Sequence, residues 1–194
     1  MKIEKNISFG KTLVATCQIP KSDKSVSSCK IFELDNTEDK DYFEKLNVSP
    51  NWTENRFLWV MKRLMQSKSI GKDHDTFSIE NQSGDCLGYI NIISHKSPFN
   101  TKSIQYIETS KDDTETKLTK QSLVAFIIEQ AKREDKEKVS VLAFDKNTRK
   151  FFTKECGFKH SIDSGYDFVL DKKHYDKFLE KQKQKTGSEI TFIS

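Results

Sequence analysis

The sequence predicts a single mixed α/β (α+β) domain in which helices flank a mostly antiparallel central sheet. Three observations predict it. The chain has 194 residues, enough for one sizeable core and short for two ordinary domains. Its apolar residues alternate in some segments and recur at helical spacing in others. Three β-rich runs, TFSIE (76–80), CLGYINIIS (86–94) and SIQYIETS (103–110), follow one another across short turns, the pattern of a meander.

Composition narrows the class. Hydrophobic residues make up 35% and charged residues 32%, with 14 Phe as core material; this is a globular chain rather than a disordered one. The net charge of +4 neither demands nucleic acid nor excludes it, because binding needs clustered charge. Cys17, Cys29, Cys86 and Cys156 are widely spaced with no CxxC pair and no His at ligand spacing, so no metal site is expected. Thiols without a disulfide framework suit a cytoplasmic setting. The opening MKIEKNISFGKTLVATC is too interrupted by polar residues for a leader or membrane span.

Taken in order, residues 3–19 read as one strand or a hairpin, and KIFEL (30–34) as a strand. DNTEDKDYFEKL starts a helix, and Ser49-Pro50 introduces a second one, NWTENRFLWVMKRLMQS, since Pro suits the first helical turn. Phe57, Val60, Met61 and Leu64 form its core stripe, with Trp52 and Trp59 off the stripe, either packed beneath a loop or lining a groove. After the meander, LTKQSLVAFIIEQAKRED reads as a helix whose LVAFII segment is apolar all round and therefore covered on more than one side. VSVLAFD (139–145) reads as a central strand, NTRKFFTKECGF as a helix with a Gly exit, YDFVL as a last strand, and HYDKFLEKQ as a terminal helix, after which the tail to Ser194 is expected to fray.

The order of elements, together with VSVLAFDKNTRKFFTKECGFKH, resembles the GNAT-type N-acetyltransferase superfamily. In that family a strand ends in a loop with Asn, a helix follows, and a Gly-Phe pair returns the chain to the sheet. Asn147, Phe152, Gly157 and Phe158 stand at matching positions. On this resemblance the chain divides into an N-terminal strand extension (1–29), a GNAT-like core (30–170) and a C-terminal helix and tail (171–194). Read without the family, Gly157 sits where a helix end often needs a left-handed residue, and any helix-to-strand joint can use it.

The resemblance implies an acyl-CoA cofactor, acetyl-CoA in the commonest case, held where two parallel strands splay and where a glycine-rich loop offers amides to its pyrophosphate. Alignment puts that loop at ETKLTK (115–120), with Lys117, Leu118, Thr119 and Lys120 as the cofactor-binding candidates beside Asn147. No glycine is present there, and Asp112, Asp113 and Glu115 bring negative charge to a site meant for phosphate. Asp112 to Glu115 also reads as a capping box, by which the helix satisfies its own donors. The catalytic candidates are Glu108, as base for an attacking amine, and Thr153, which stands where the family often carries an acidic Tyr. His74, His95, His160 and His174 have no partner motif and take no role.

Two functions therefore compete. One is a diverged acyl-CoA-dependent N-acetyltransferase acting on an amine of a protein or small molecule. The alternative is a catalytically inactive GNAT-fold module that has lost acetyl-CoA binding and engages a protein partner through Trp52, Trp59 or the N-terminal extension. Nucleic-acid binding through Lys172, Lys173, Lys177, Lys181, Lys183 and Lys185 is disfavoured, because Asp171, Asp176 and Glu180 interleave with them.

Overall fold

The computed structural model describes residues 11–21, 25–34, 74–109, 114–143, 145–161, 168–186 and 189–193. The two helices read between residues 35 and 67, with Trp52 and Trp59, lie outside the described residues. The described elements run β1 (Lys11–Pro20), β2 (Val26–Leu34), β3 (His74–Glu80), β4 (Cys86–Ser94), β5 (Thr101–Thr109), α1 (Thr114–Arg133), β6 (Lys138–Val141), α2 (Lys146–Lys150), β7 (Lys159–His160), β8 (Phe168–Asp171), α3 (Tyr175–Thr186) and β9 (Thr191–Phe192). The strands form one sheet in the order β7-β8-β6-β5-β4-β3-β2-β1-β9.

Every neighbouring pair in this sheet is antiparallel except β5 and β6. The meander appears as read from sequence. Its β3–β4 turn closes through Asn81, whose amide donates to the Asp85 carbonyl at 3.0 Å, with Gly84 at φ 84°. That angle suits Gly because no β-carbon opposes it.

Helix α1 explains the all-apolar LVAFII segment: residues 123–128 are at most 5% exposed. Phe126 meets Phe77 of the sheet edge-on, with ring centroids 4.9 Å apart, and stacks on Phe192 at 5.3 Å. Burial of such side chains is the main stabilising term, about 1.5–3 kcal/mol each.

Two sequence expectations need correction. The first strand pair is a hairpin whose second member starts at Val26, before the KIFEL segment. The tail does not fray throughout: Thr191 and Phe192 add to β1 as β9, pairing with Thr16 and Ala15. Arg133 lies over the Phe192 ring, 3.9 Å from its centroid, so the strand is anchored by aromatic contacts that a polar tail does not advertise.

Candidate active site

The single parallel pair is where the sheet opens. Strands β5 and β6 match from Thr101↔Lys138 to Ile104↔Val141. Ser103 and Ser140, direct partners, share a hydrogen bond of 2.8 Å. After Val141, β6 stops, so the apolar run 139–145 is a strand only at its start. Strand β5 continues to Thr109 with β4 alone on its other side. The departure coincides with a bulge: Asn91 pairs with Tyr106 and Ile92 with Ile104, leaving Gln105 unmatched. A bulge of this kind bends the strand and increases its twist.

A cavity of about 410 Å³ fills the opening. One wall is β5 from Ile104 to Glu108; the other is Val141, Leu142, Asp145, Thr148 and Phe152. Five consecutive strand residues line it. Successive side chains point to opposite faces of a sheet, so a cavity above one face would meet only alternate residues. This one runs alongside β5 past Ile104, where the pairing with β6 has ended.

Tyr106 and Glu108 lie on the same side of β5 by alternation. The Tyr106 hydroxyl donates to Glu108 Oε2 at 3.4 Å, and the Thr109 amide donates to Oε1 at 3.2 Å. The backbone here is packed tightly from below: a β-carbon on Gly88, opposite Thr109, would stand 2.8 Å from the Glu108 carbonyl oxygen. Glycine at 88 is therefore what lets β4 approach the end of β5.

Across the cavity, Asp145 caps α2. Its Oδ1 accepts from the Asn147 and Thr148 amides, each at 2.9 Å, and its Oδ2 accepts from the Thr148 hydroxyl. The Thr148 hydroxyl, foremost, and these amides hold the Asp145 carboxyl below its ordinary range. The helix then passes through a π turn, Phe151–Glu155, which buries Phe152. Gly157 exits at φ 73° and the Phe158 amide donates to the Phe152 carbonyl at 2.9 Å. Phe152 and Phe158 pack edge-to-face with centroids 5.1 Å apart, so the Gly-Phe joint fixes one wall of the cavity.

The sequence-derived candidates are distributed unevenly. Glu108 lines the cavity. Thr153 does not: its hydroxyl donates to the Arg149 carbonyl at 2.8 Å, one turn back in its own helix. Asn147 is exposed at the start of α2, with its amide given to Asp145. The segment 115–120 is not a loop but the first turns of α1. In a helix only the first four amides lack an internal partner. The amides of Leu118, Thr119 and Lys120 are thus consumed by the helix, while Leu118 packs on the core and Thr119 is buried. Lys117 is half exposed and pairs with Glu155 at 2.7 Å. Lys185 reaches the same carboxylate at 3.4 Å, and Lys117, foremost, holds the Glu155 carboxyl below its usual range. Lys111, Asp112 and Asp113 lie outside the described residues.

Tyr106, Asp145 and Thr148 are cavity residues that sequence reasoning missed. A signal existed for each: Tyr106 precedes Glu108 by one strand period, and D-x-x-T at 145–148 is a capping pattern. Among the described residues no group of three or more metal-ligating side chains is present, and no helix is long and apolar enough to cross a membrane.

No protein-family model and no curated protein sequence matches the chain. Solved structures do match in fold. One is the toxin–antitoxin complex AtaTR bound with acetyl-CoA, at a TM-score of 0.56 and 13% identity, covering 77% of this chain and 96% of that one. Another is spermidine N-acetyltransferase SpeG from Vibrio cholerae in a mutant form, at 0.50 and 12%, covering 76% and 95%. A third is a candidate acetyltransferase from Exiguobacterium sp. 255-15, at 0.53 and 14%, covering 77% and 97%. The chain has the GNAT fold.

Proposed function

We propose that this chain is an acyl-CoA-dependent N-acyltransferase that transfers an acyl group to an amine of a small molecule or protein. The observation that carries the reading is the cavity beside β5, beyond the point where its pairing with β6 ends. Where two parallel strands part, a chain bearing amides can lie alongside the longer one much as an added strand would. The pantetheine arm of CoA is such a chain, and the cavity lies in the usual range for ligand pockets, about 300–1,000 Å³. The acetyl-CoA-bound AtaTR structure and spermidine acetyltransferase SpeG, with which the fold is shared, agree with this class of substrate.

Acyl-CoA supplies a thioester, a carbonyl carbon open to attack by a neutral amine. The chain's own groups would do the rest. Glu108 accepts a proton from the incoming amine, directly or through water. Tyr106, hydrogen-bonded to Glu108, replaces Thr153 as the candidate proton donor to the leaving sulfur, because a phenol of pKa near 10 can protonate a thiolate whereas an alcohol already given to Arg149 cannot. The first turn of α1, whose leading amides have no partner within the helix, would face the pyrophosphate, with Lys117 beside it if it exchanges Glu155 for phosphate.

A second reading is supported by the same end of α1. There is no glycine between residues 110 and 120, and Lys117 is engaged by Glu155. Both favour a silent module that binds a partner instead of acyl-CoA. Calorimetry and thermal shift with acetyl-CoA and with CoA decide between them. Cofactor at about 100 times its Kd stabilises a protein by about 2.7 kcal/mol. A saturable shift with acetyl-CoA is the outcome expected of the enzyme; no heat and no shift at millimolar concentration leaves only the silent module.

A further inference from the structure

Cys17 and Cys29, distant in sequence motif terms, are direct partners in the β1–β2 ladder. The register around them is regular from Ala15↔Ile31 to Pro20↔Val26, and the irregularity between Leu13 and Ala15 lies beyond it. Directly opposed residues of an antiparallel pair project to the same face, with β-carbons about 4.5–5.5 Å apart. Their α-carbons, about 4.5–5.5 Å apart in either kind of antiparallel pair, fall within the span of about 4.4–6.8 Å that a disulfide bridges, and drawing the β-carbons in to the roughly 3.5–4.5 Å of the bonded pair takes a small inward shift of the hairpin. The shared face is the core side, where Cys17 is 4% and Cys29 0% exposed. None of the four cysteines is in a disulfide, and the Cys29 thiol donates to the Ser27 carbonyl at 3.7 Å. The other two are placed apart, Cys86 opposite Glu80 on β3 and Cys156 at the end of the π turn that follows α2.

We propose that Cys17 and Cys29 form a covalent modification site, a cross-strand disulfide that locks β1 to β2 when a low-molecular-weight disulfide oxidises the pair. One cysteine thiolate attacks the oxidant's S–S bond, giving a mixed disulfide and releasing one oxidant thiolate. The second cysteine then attacks the protein sulfur of that mixed disulfide, forming the Cys17–Cys29 bond and releasing the other oxidant thiolate. Two S–H bonds break, the protein loses two electrons and two protons, and the oxidant leaves as two thiols.

Access requires local opening. The hairpin is suited to it: β1 is next to last in the sheet, and among the described residues β9 pairs with it at Ala15 and Thr16, with the Ile193 amide donating to the Val14 carbonyl at 2.9 Å. Strands near an edge open more readily than central ones. Burial pushes the Cys17 thiol up, which makes thiolate scarce and the exchange slow.

The test incubates the full chain with oxidised glutathione for hours, unfolds it in urea containing N-ethylmaleimide so that every remaining thiol is alkylated, and maps peptides without reduction. The expected product joins the peptides containing Cys17 and Cys29, two hydrogens lighter than their sum, while Cys86 and Cys156 stay alkylated. Its appearance raises the urea midpoint, and dithiothreitol reverses the rise. Recovery of Cys17 and Cys29 as separate alkylated or glutathionylated peptides, or linkage of either to Cys86 or Cys156, overturns the proposal. The Cys29→Ser variant adds a check: a reversible rise in midpoint that persists without Cys29 also overturns it.

Discussion

Glu108 is held as a proton acceptor would need to be, by a phenol on one oxygen and a backbone amide on the other. Both contacts come from its own strand, so they survive small movements of the cavity's far wall. Replacing Glu108 with Gln keeps shape and hydrogen-bonding capacity but removes the base. If the proposed chemistry holds, steady-state turnover falls by roughly 10²–10⁴-fold, the usual worth of a positioned base, and acetyl-CoA affinity stays within about twofold. Tyr106→Phe should lower turnover with a similar sparing of affinity. Unchanged turnover in Glu108→Gln would remove Glu108 from the mechanism. Glu108 was legible in the sequence because a carboxylate closing a meander strand is visible there. Tyr106 stands one strand period before it, but its place at the cavity depends on β6 ending at Val141, which no local pattern discloses. Thr153 occupies the aligned position, but a side chain in a helix can spend its hydroxyl on the preceding turn, and here it does.

Helix α2 shows how much of an element can be read from local chemistry and where that reading ends. Gly157 and Phe158 were legible because a left-handed exit followed by an apolar anchor is a short-range pattern. The cap was legible in principle, and its consequence can be measured. A carboxyl whose pKa is lowered on folding stabilises the native state above its unfolded value, and that stabilisation is lost as pH falls through the folded value. For Asp145, whose ordinary value is 3.8, the contribution is complete at neutral pH and disappears in acid. Asp145→Ala should therefore cost about 0.5–2 kcal/mol at pH near 7, read as a lower urea midpoint, and this deficit should shrink below about pH 4. Asp145→Asn, which still accepts from the Asn147 and Thr148 amides, should recover much of the loss. A deficit for Asp145→Ala that is the same at both pH values would mean the charged carboxylate contributes nothing to α2. What the sequence did not disclose is the π turn, settled by the packing of Phe152; the start of α1 at Thr114 was open to the capping-box reading of Asp112 to Glu115, which competed with the loop that the family resemblance implied.

At the scale of the molecule, the sheet separates two regions with different duties. The β5–β6 opening lies on one side of the meander, and the β1–β2 hairpin with β9 lies on the other. The central part of this order was legible, because meanders and helix-flanked strands follow sequence order. The β9 addition was not, since it joins the two ends of the described chain through long-range pairing that no local pattern encodes. Its anchor is Phe192, stacked on Phe126 of α1 and covered by Arg133. Phe126 is wholly buried and also touches Phe77 of β3, so Phe192 extends the core over the helix rather than resting on a surface. Phe192→Ala removes a partly buried ring, and a loss of about 1–3 kcal/mol is expected, below the roughly 3–5 kcal/mol of a fully buried Phe. Four strands separate β5 from β9 in the sheet order, and sites without shared partners act independently. The variant should thus unfold at lower urea yet bind acetyl-CoA as the parent chain does, if the parent binds it. Parent-like stability would show that β9 rests on the sheet without supporting it; weakened cofactor binding at unchanged stability would show that the two ends of the sheet are coupled.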